Sequence, residues 1–364
     1  MEQSAQREIR EVNPDWSVSE LMARIAKALV SDGPALSFGS TRESHLLPRI
    51  SLVVKTTGSS GASKSVGLSA SALLASAQGS HKFLGAEFGN RWSLLLPLTH
   101  IAGINVLIRS LELGTEPIDL RAHQGEYPKA DFTAIVPTQL YRALHTDSYL
   151  LEHLQNAQAV LVGGAALTPE LSEKAKKLGV NVITSYGMTE TSGGCIYDGV
   201  PLEGVEVKVG ADSKILISGA VVATTYVGAP TLWETVFKDG WYQTSDSGHF
   251  AHDRLVVDGR VDDVIISGGE NISLSAIESA LHAHFPHKNF AAFAVHDSEW
   301  GQALHLAVAG EGFPLEDEIS EYLQAQFGDV GKPKGFLYLP ELPLLGIGKV
   351  DRRKLVELVM EAPN

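Results

Sequence analysis

Chemistry-bearing residues gather in a few short stretches of this 364-residue chain. TTGSSGASKS (56–65) follows the apolar run SLVV. A Gly-rich turn lets several backbone N–H groups converge on one anion. The hydroxyls of Thr56, Thr57, Ser59 and Ser60 add donors around Gly58 and Gly61, and Lys64 adds a positive charge, an inventory that suits a triphosphate. It is not a Walker A loop, which needs Gly directly before its Lys; Ser63 stands there. A flexible Ser/Gly linker has the same composition, although a linker does not usually follow a strand and precede a helix such as LSASALLASA.

SYGMTE (185–190) ends a strand reading VNVITS. Tyr186 can lie flat against a purine, and Thr189 can meet a phosphate oxygen. Glu190 can hold Mg²⁺, a hard cation that accepts one or two carboxylates beside substrate phosphates. A polar turn with a buried Tyr fits the same residues. YQTSDSGHF supplies Asp246, and DGRVDDVI supplies Arg260 and Asp262. A carboxylate near a nucleotide commonly accepts both ribose hydroxyls, and an Arg suits a second ribose contact or a phosphate. Exposed hairpin charges read the same way. LPLLGIGKVDRRKL sets Lys349 in a Gly-flanked turn. A Lys held against developing negative charge stabilises a transition state; a basic helix start at Arg352, Arg353 and Lys354 also accounts for the stretch. No G-x-S-x-G elbow and no H-E-x-x-H occurs. His282, His284 and His287 lack a Cys or a further His pair to complete a metal set and are read as surface residues.

The elements that must carry these groups alternate along the first half. A helical spacing at 18–29 precedes strand 50–54, helix 68–77, strand 92–97, a helix at 101–111 and strand 132–137. Helix 139–145, strand 159–164, helix 169–178 and the VNVITSYG strand follow. That alternation predicts an α/β fold with mostly parallel sheets covered by helices. Past Gly199 the runs VEVKVG, KILISG, ATTYVG and WYQTSDSGHF are short and turn-punctuated, predicting an antiparallel β-rich subdomain. A charged, Gly-rich crossing (255–271) leads to helix 275–284, two strands, helix 315–327 and a basic tail segment: a small α+β domain. The boundary falls at 259–263, giving a large domain over 1–259 and a small one over 260–364.

Apolar residues make up 44% of the chain, enough for a sizeable core. The formal net charge of −14 gives no general attraction for nucleic acid or anionic lipid. The single cysteine, Cys195, excludes an intrachain disulfide and suits a reducing compartment. The first residues lack the apolar region of a signal peptide. The greasy run 92–108 is broken by Pro97, His100 and Asn105 and reads as buried core. A cytoplasmic protein without membrane insertion is expected.

Taken together and in order, TTGSSGASKS, SYGMTE, YQTSDSG, GRVDDVIISGGEN and GIGKVDRR resemble the adenylate-forming acyl-CoA ligase superfamily, from about residue 51 to 355. AIVPTQL, LVGGAAL and YGMTETSGGCIYDGVPLEGVEVKV carry a closer likeness to its o-succinylbenzoate–CoA ligases of menaquinone biosynthesis. The resemblance implies ATP, Mg²⁺ and coenzyme A, and two half-reactions: carboxylate to acyl-adenylate with loss of pyrophosphate, then thioester with loss of AMP. Another aryl or alkyl acid, or an adenylate-forming protein that does not use CoA, is the alternative. It further implies that 56–64 hold the β- and γ-phosphates. Tyr186 and Gly187 would lie near adenine, Thr189 at the α-phosphate and Glu190 on Mg²⁺. Asp246 and Arg260 would hold the ribose, and Gly163, Gly164 and Ala165 would line the adenine and acyl pocket. His100 matches a position beside the acyl pocket. Lys349 would bridge the α-phosphate and the attacking carboxylate. The small domain would swing about Asp262, withdrawing Lys349 and bringing Ser267, Gly268, Gly269 and Glu270 to the CoA side. Ser63 and Ser65 replace the usual Gly and Pro around the loop Lys, which predicts slack there. The chain is shorter than most relatives, the shortfall falling before Ser51, with consequences expected for the acyl pocket or a homodimer surface.

Overall fold

Ser17 starts the first helix, Val18–Leu29, through a reciprocal cap in which its side chain accepts from Glu20 N and Glu20 accepts from Ser17 N. Leu21, Met22, Ile25 and Ala28 form the buried stripe of that helix. The computed structural model describes residues 6–57, 63–285, 288–310, 316–344 and 350–361, without the side chains of Thr57 and Asp262. It divides into one unit over Met1–Lys208 and Leu216–Gln243 and a second over Val209–Ile215 and Thr244–Asn364.

The first unit holds two large sheets. One is ordered Thr225–Val227, Ser63–Ser69, Ile50–Thr57, Ala35–Phe38, Arg7–Glu11, His45–Leu46. The other is ordered Val200–Pro201, Gly193–Tyr197, Val182–Met188, Ala159–Gly163, Phe132–Ile135, Trp92–Leu94, Ile118–Asp119. Its five strands from Val182–Met188 to Ile118–Asp119 run parallel, as the alternation of elements predicted. Ala159 to Val162 are all buried, as expected for a parallel strand covered on both faces. Helix Ile101–Glu112 buries nine of its twelve residues, which accounts for the long apolar run as core. Among the described residues no helix is long and apolar enough to cross a membrane.

The second unit contains the antiparallel hairpin in which Asp246 faces Arg260, and a five-stranded sheet. That sheet runs Glu270–Ser273, Val264–Ser267, Gly301–Ala309, Asn289–Asp297, with Gly335–Leu339 parallel to Gly301–Ala309. Helices Leu274–His284 and Glu316–Phe327 cover it through Ile277, Leu281, Ile319 and Leu323.

Several sequence readings need correction. The stretch after the Gly/Ser loop is a strand, Ser63–Ser69, and the helix begins only at Ala70. Ser69 explains the shift: its side chain caps Ala72 N, which leaves Val66 and Leu68 upstream to pair with Val54 and Leu52. The loop therefore joins two antiparallel strands instead of leading from strand to helix. ATTYVG leaves the expected β-rich subdomain and adds an edge strand to the first sheet beside Ser63–Ser69. The charged crossing contains a hairpin, Val264–Ser267 with Glu270–Ser273, and the basic tail contains the strand Gly335–Leu339. Helices Ser148–Asn156 and Pro230–Val236 carry no signal that the sequence reading used.

Candidate active site

Lys64 and Glu190 lie 126 positions apart in the chain and meet around a third residue, Tyr226. Strand Ser63–Ser69 pairs with Ile50–Thr57 on one side and with Thr225–Val227 on the other, which sets Lys64 beside Tyr226. The Lys64 ammonium lies 4.8 Å from the centre of the Tyr226 ring. The Tyr226 hydroxyl donates to Glu190 Oε1 at 2.9 Å. Glu190 is only 8% exposed and Tyr226 only 1%. Burial, with the Glu190 charge and its hydrogen bond, pushes the Tyr226 phenol far above its ordinary range, so the hydroxyl keeps its proton for Glu190. Trp233 meets the Tyr226 ring edge-on at 5.1 Å and holds it in place.

The turn that presents Glu190 is fixed from several directions. Thr189–Thr191 form one 3-10 turn at the end of Val182–Met188. Met188 N donates to Thr191 Oγ1, and Thr191 Oγ1 reaches Gly193 O at 2.8 Å. Ser192 adopts the left-handed region (φ 53°), which few non-Gly residues occupy without outside support. Its carbonyl accepts from Asn105 Nδ2 and Ser76 Oγ, and its own hydroxyl donates to Val221 O. Ala223 N donates to Glu190 O at 2.8 Å. Gly187 sits against the Gly193 carbonyl so closely that a Cβ would collide with it. Tyr226, Asn105, Ser76 and Ser192 were given no role from the sequence, because each acts through a contact remote in sequence.

The other first-unit candidates fall on the same framework. Thr56 pairs with Lys64 in the hairpin, and its hydroxyl donates to Lys64 O at 3.4 Å. Thr57 pairs with Ser63. Gly58, Ser59, Ser60 and Gly61 lie outside the described residues. Ser65 pairs with both Lys55 and Val227, so Lys64 is flanked by backbone held in a ladder; the loop in which Ser63 and Ser65 predict slack, 58–62, lies outside the described residues. Gly163 pairs with Ser185, one residue before Tyr186, and Gly164 and Ala165 follow it as exposed residues. Tyr186 is half-buried and faces Ile196 across the strand pair. His100 occupies the N-cap position of helix Ile101–Glu112. That helix is bolted to the Glu190 turn by the Asn105–Ser192 bond.

In the second unit, Asp246 and Arg260 stand opposite each other, with Arg260 Nη1 3.8 Å from Asp246 Oδ1. Asp262 lies in the 3-10 turn Val261–Asp263. Ser267 and Glu270 pair across a two-residue turn made by Gly268 (φ 58°) and Gly269 (φ 89°). Both central residues of such a turn need positive φ, which is why two glycines stand there. Lys349 lies outside the described residues. His282 Nδ1 bonds Glu278 O and the His284 ring stacks on Tyr322 at 4.0 Å, while His287 lies outside the described residues.

No group of three or more His, Cys, Asp or Glu that could hold a metal occurs among the described residues. In this site Glu190 offers a hard, buried carboxylate, and that would fit a Mg²⁺ ion, which accepts one or two carboxylates beside substrate phosphates.

The AMP-binding enzyme family matches residues 48–216, and the AMP-binding enzyme C-terminal domain matches residues 276–349. The chain is 34% identical over 364 residues to the probable 2-succinylbenzoate–CoA ligase of Mycobacterium tuberculosis, covering 92% of this chain and 94% of that one. It is 32% identical over 323 residues to the 2-succinylbenzoate–CoA ligase of Escherichia coli, covering 85% of this chain and 69% of that one. The solved structure of wild-type Escherichia coli MenE with a bound m phenylether-linked analogue of OSB-AMS matches with TM-score 0.69 and 26% identity, over 96% of this chain and 82% of that one. With both family regions in order and a curated relative matched almost end to end, the chain belongs to the AMP-binding enzymes, the adenylate-forming acyl-CoA ligase superfamily.

Proposed function

We propose that this chain is an ATP-dependent acyl-CoA ligase whose acid substrate is 2-succinylbenzoate. The observation that carries the reading is the Tyr226-centred pair: one cation, Lys64, and one buried carboxylate, Glu190, set on two sides of a tyrosine. A polyphosphate with a bound divalent cation presents the complementary charges. The choice of acid rests on the relatives matched over most of this chain.

In the first half-reaction a carboxylate oxygen attacks the α-phosphorus of ATP, the bond to the β-phosphate oxygen breaks, and pyrophosphate leaves. In the second, the CoA sulfur attacks the acyl carbon, the carbon–oxygen bond to AMP breaks, and the thiol proton passes to solvent. The gain in reactivity comes from replacing oxide by AMP as leaving group. Residues 56–64 would hold the β- and γ-phosphates, with Tyr186, Gly187, Gly164 and Ala165 at the base and Thr189 at the α-phosphate. Glu190 would hold Mg²⁺, which neutralises charge on the phosphates when bound. Asp246 and Arg260 would accept and orient the ribose, and His100 would border the acid. Lys349 would stabilise charge developing between the α-phosphate and the attacking carboxylate. A hinge at Asp262 would exchange Lys349 for the turn Ser267–Glu270 before CoA attacks.

Two measurements test this. Pyrophosphate release should depend on 2-succinylbenzoate among a panel of aromatic and aliphatic acids, with the CoA thioester seen by mass. Absence of a thioester with every aryl and succinyl acid would end the reading. Lys349→Ala should cut adenylation by roughly 100-fold or more and leave thioesterification of supplied acyl-adenylate within a few-fold. Equal losses in both half-reactions would remove Lys349 from its role.

A further inference from the structure

We infer that Arg352 is a positioning residue for adenylation: it ties the chain segment that delivers Lys349 to the turn beside the hinge. The inference rests on the proposed function but concerns a residue to which that reading gives no task.

Arg352 is the first residue of helix Arg352–Glu361. Its fork is spent on three separate elements. Nη2 meets Glu278 Oε1 at 2.8 Å on helix Leu274–His284, and Nη1 meets Asp263 Oδ2 at 3.2 Å. Nε donates to Ala292 O at 2.9 Å on strand Asn289–Asp297. The same Glu278 oxygen accepts from Ala292 N at 2.9 Å, so guanidinium, carboxylate and peptide close a ring. Only a planar fork satisfies all of these partners at once. Burial pushes the Glu278 carboxyl above its ordinary range despite Arg352. Burial also opposes the Arg352 charge, but Glu278 and Asp263 overcome it and hold the guanidinium above its ordinary value. Removing either partner would leave the other's charge buried and unpaired.

The two ends of this network are what give it a task. On one side, Leu344 and Val350 pair as an antiparallel bridge, and Asp351 N donates to Pro343 O at 2.8 Å. Asp351 then caps the helix by accepting from Lys354 N at 3.1 Å. Lys349 directly precedes the bridged Val350 in the sequence. On the other side, Asp263 completes the turn Val261–Asp263 that contains Asp262. Arg352 thus joins, through its own side chain, chain positions 89 apart. A change of backbone angle at Asp262 is then passed to the Lys349 side through stiff contacts. Docking of the helix does not need this link: Leu355 is fully buried in an apolar cluster with Ala291, Phe293 and Ala307.

The test compares the half-reactions in the full chain: acid-dependent pyrophosphate release, and thioester formation from supplied acyl-adenylate. Arg352→Ala should lower the adenylation kcat by on the order of 100-fold, because small misplacements of a reacting group cost that much. KM for ATP and thioesterification should stay within about threefold. Arg352→Lys keeps the charge without the fork and should show most of the same loss; Asp263→Asn should show a smaller loss in the same direction. If Arg352→Ala does not accumulate as folded protein, Arg352→Lys and Asp263→Asn carry the comparison. Unchanged adenylation in the Arg352 variants, or equal loss of both half-reactions, overturns the inference. Lys349→Ala run in parallel separates the two readings. If it blocks adenylation while the Arg352 variants do not, only the positioning role fails; if it leaves adenylation intact, both fail.

Discussion

At the scale of the residue, Tyr226 decides how Glu190 is held. A carboxylate 8% exposed is costly unless donors satisfy it, and the Tyr226 hydroxyl at 2.9 Å is one such donor. Tyr226→Phe removes that donor while keeping the ring that packs on Trp233 and faces Lys64. The expected cost is about 1–3 kcal/mol of stability, read from the denaturant midpoint, with weaker Mg²⁺ dependence of adenylation. A stable variant with unchanged metal dependence would show that Glu190 does not need the phenol. Nothing in ATTYVG announced this role, since Tyr226 reaches Glu190 only because its strand joins the first sheet beside Lys64.

At the scale of the element, strand Trp92–Leu94 separates two histidines that resist protonation. Its Trp92 lies 6.5 Å from the His81 ring, and its neighbour Ser93 bonds His153 Nε2 at 2.9 Å. Successive residues of a strand point to opposite faces. Burial first, and then the charge of Arg109, lowers the His81 pKa to about 4; burial likewise lowers that of His153. The unfolded chain takes up these protons near pH 6.5 whereas the folded chain does not, so it binds more protons in that window. Stability is therefore complete above about pH 6.5 and falls as the pH drops toward 4. A thermal midpoint flat between pH 7 and about 4.5 would contradict this, and His81→Leu should make the slope shallower. The strand itself was legible in WSLLLP; the histidines were not, because they lie on the helices Ala70–Leu84 and Ser148–Asn156, which no local pattern ties to it.

At the scale of the whole molecule, the proposed function assigns the two half-reactions to two arrangements of one chain, with the change proposed at Asp262. Asp262→Pro should spare adenylation more than thioesterification, measured as the ratio of the two rates. A proline there disfavours the helical geometry of Val261 in the turn Val261–Asp263, since the residue before proline is pushed to extended angles. An unchanged ratio would count against rotation at this point. The sequence by itself determined the parallel sheet, because apolar runs at strand length alternating with helical spacing leave few other solutions. It also determined the order of the motifs that carry the family resemblance, since each is written in particular residue types over a few adjacent positions. Only the tertiary structure decided that the Gly/Ser loop joins two strands, that Tyr226 stands between Lys64 and Glu190, and that Arg352 answers to Asp263 and Glu278. The Tyr226 and Arg352 contacts join residues tens to more than a hundred positions apart, and strand pairing and packing, which bring such residues together, leave no spacing in the sequence to read.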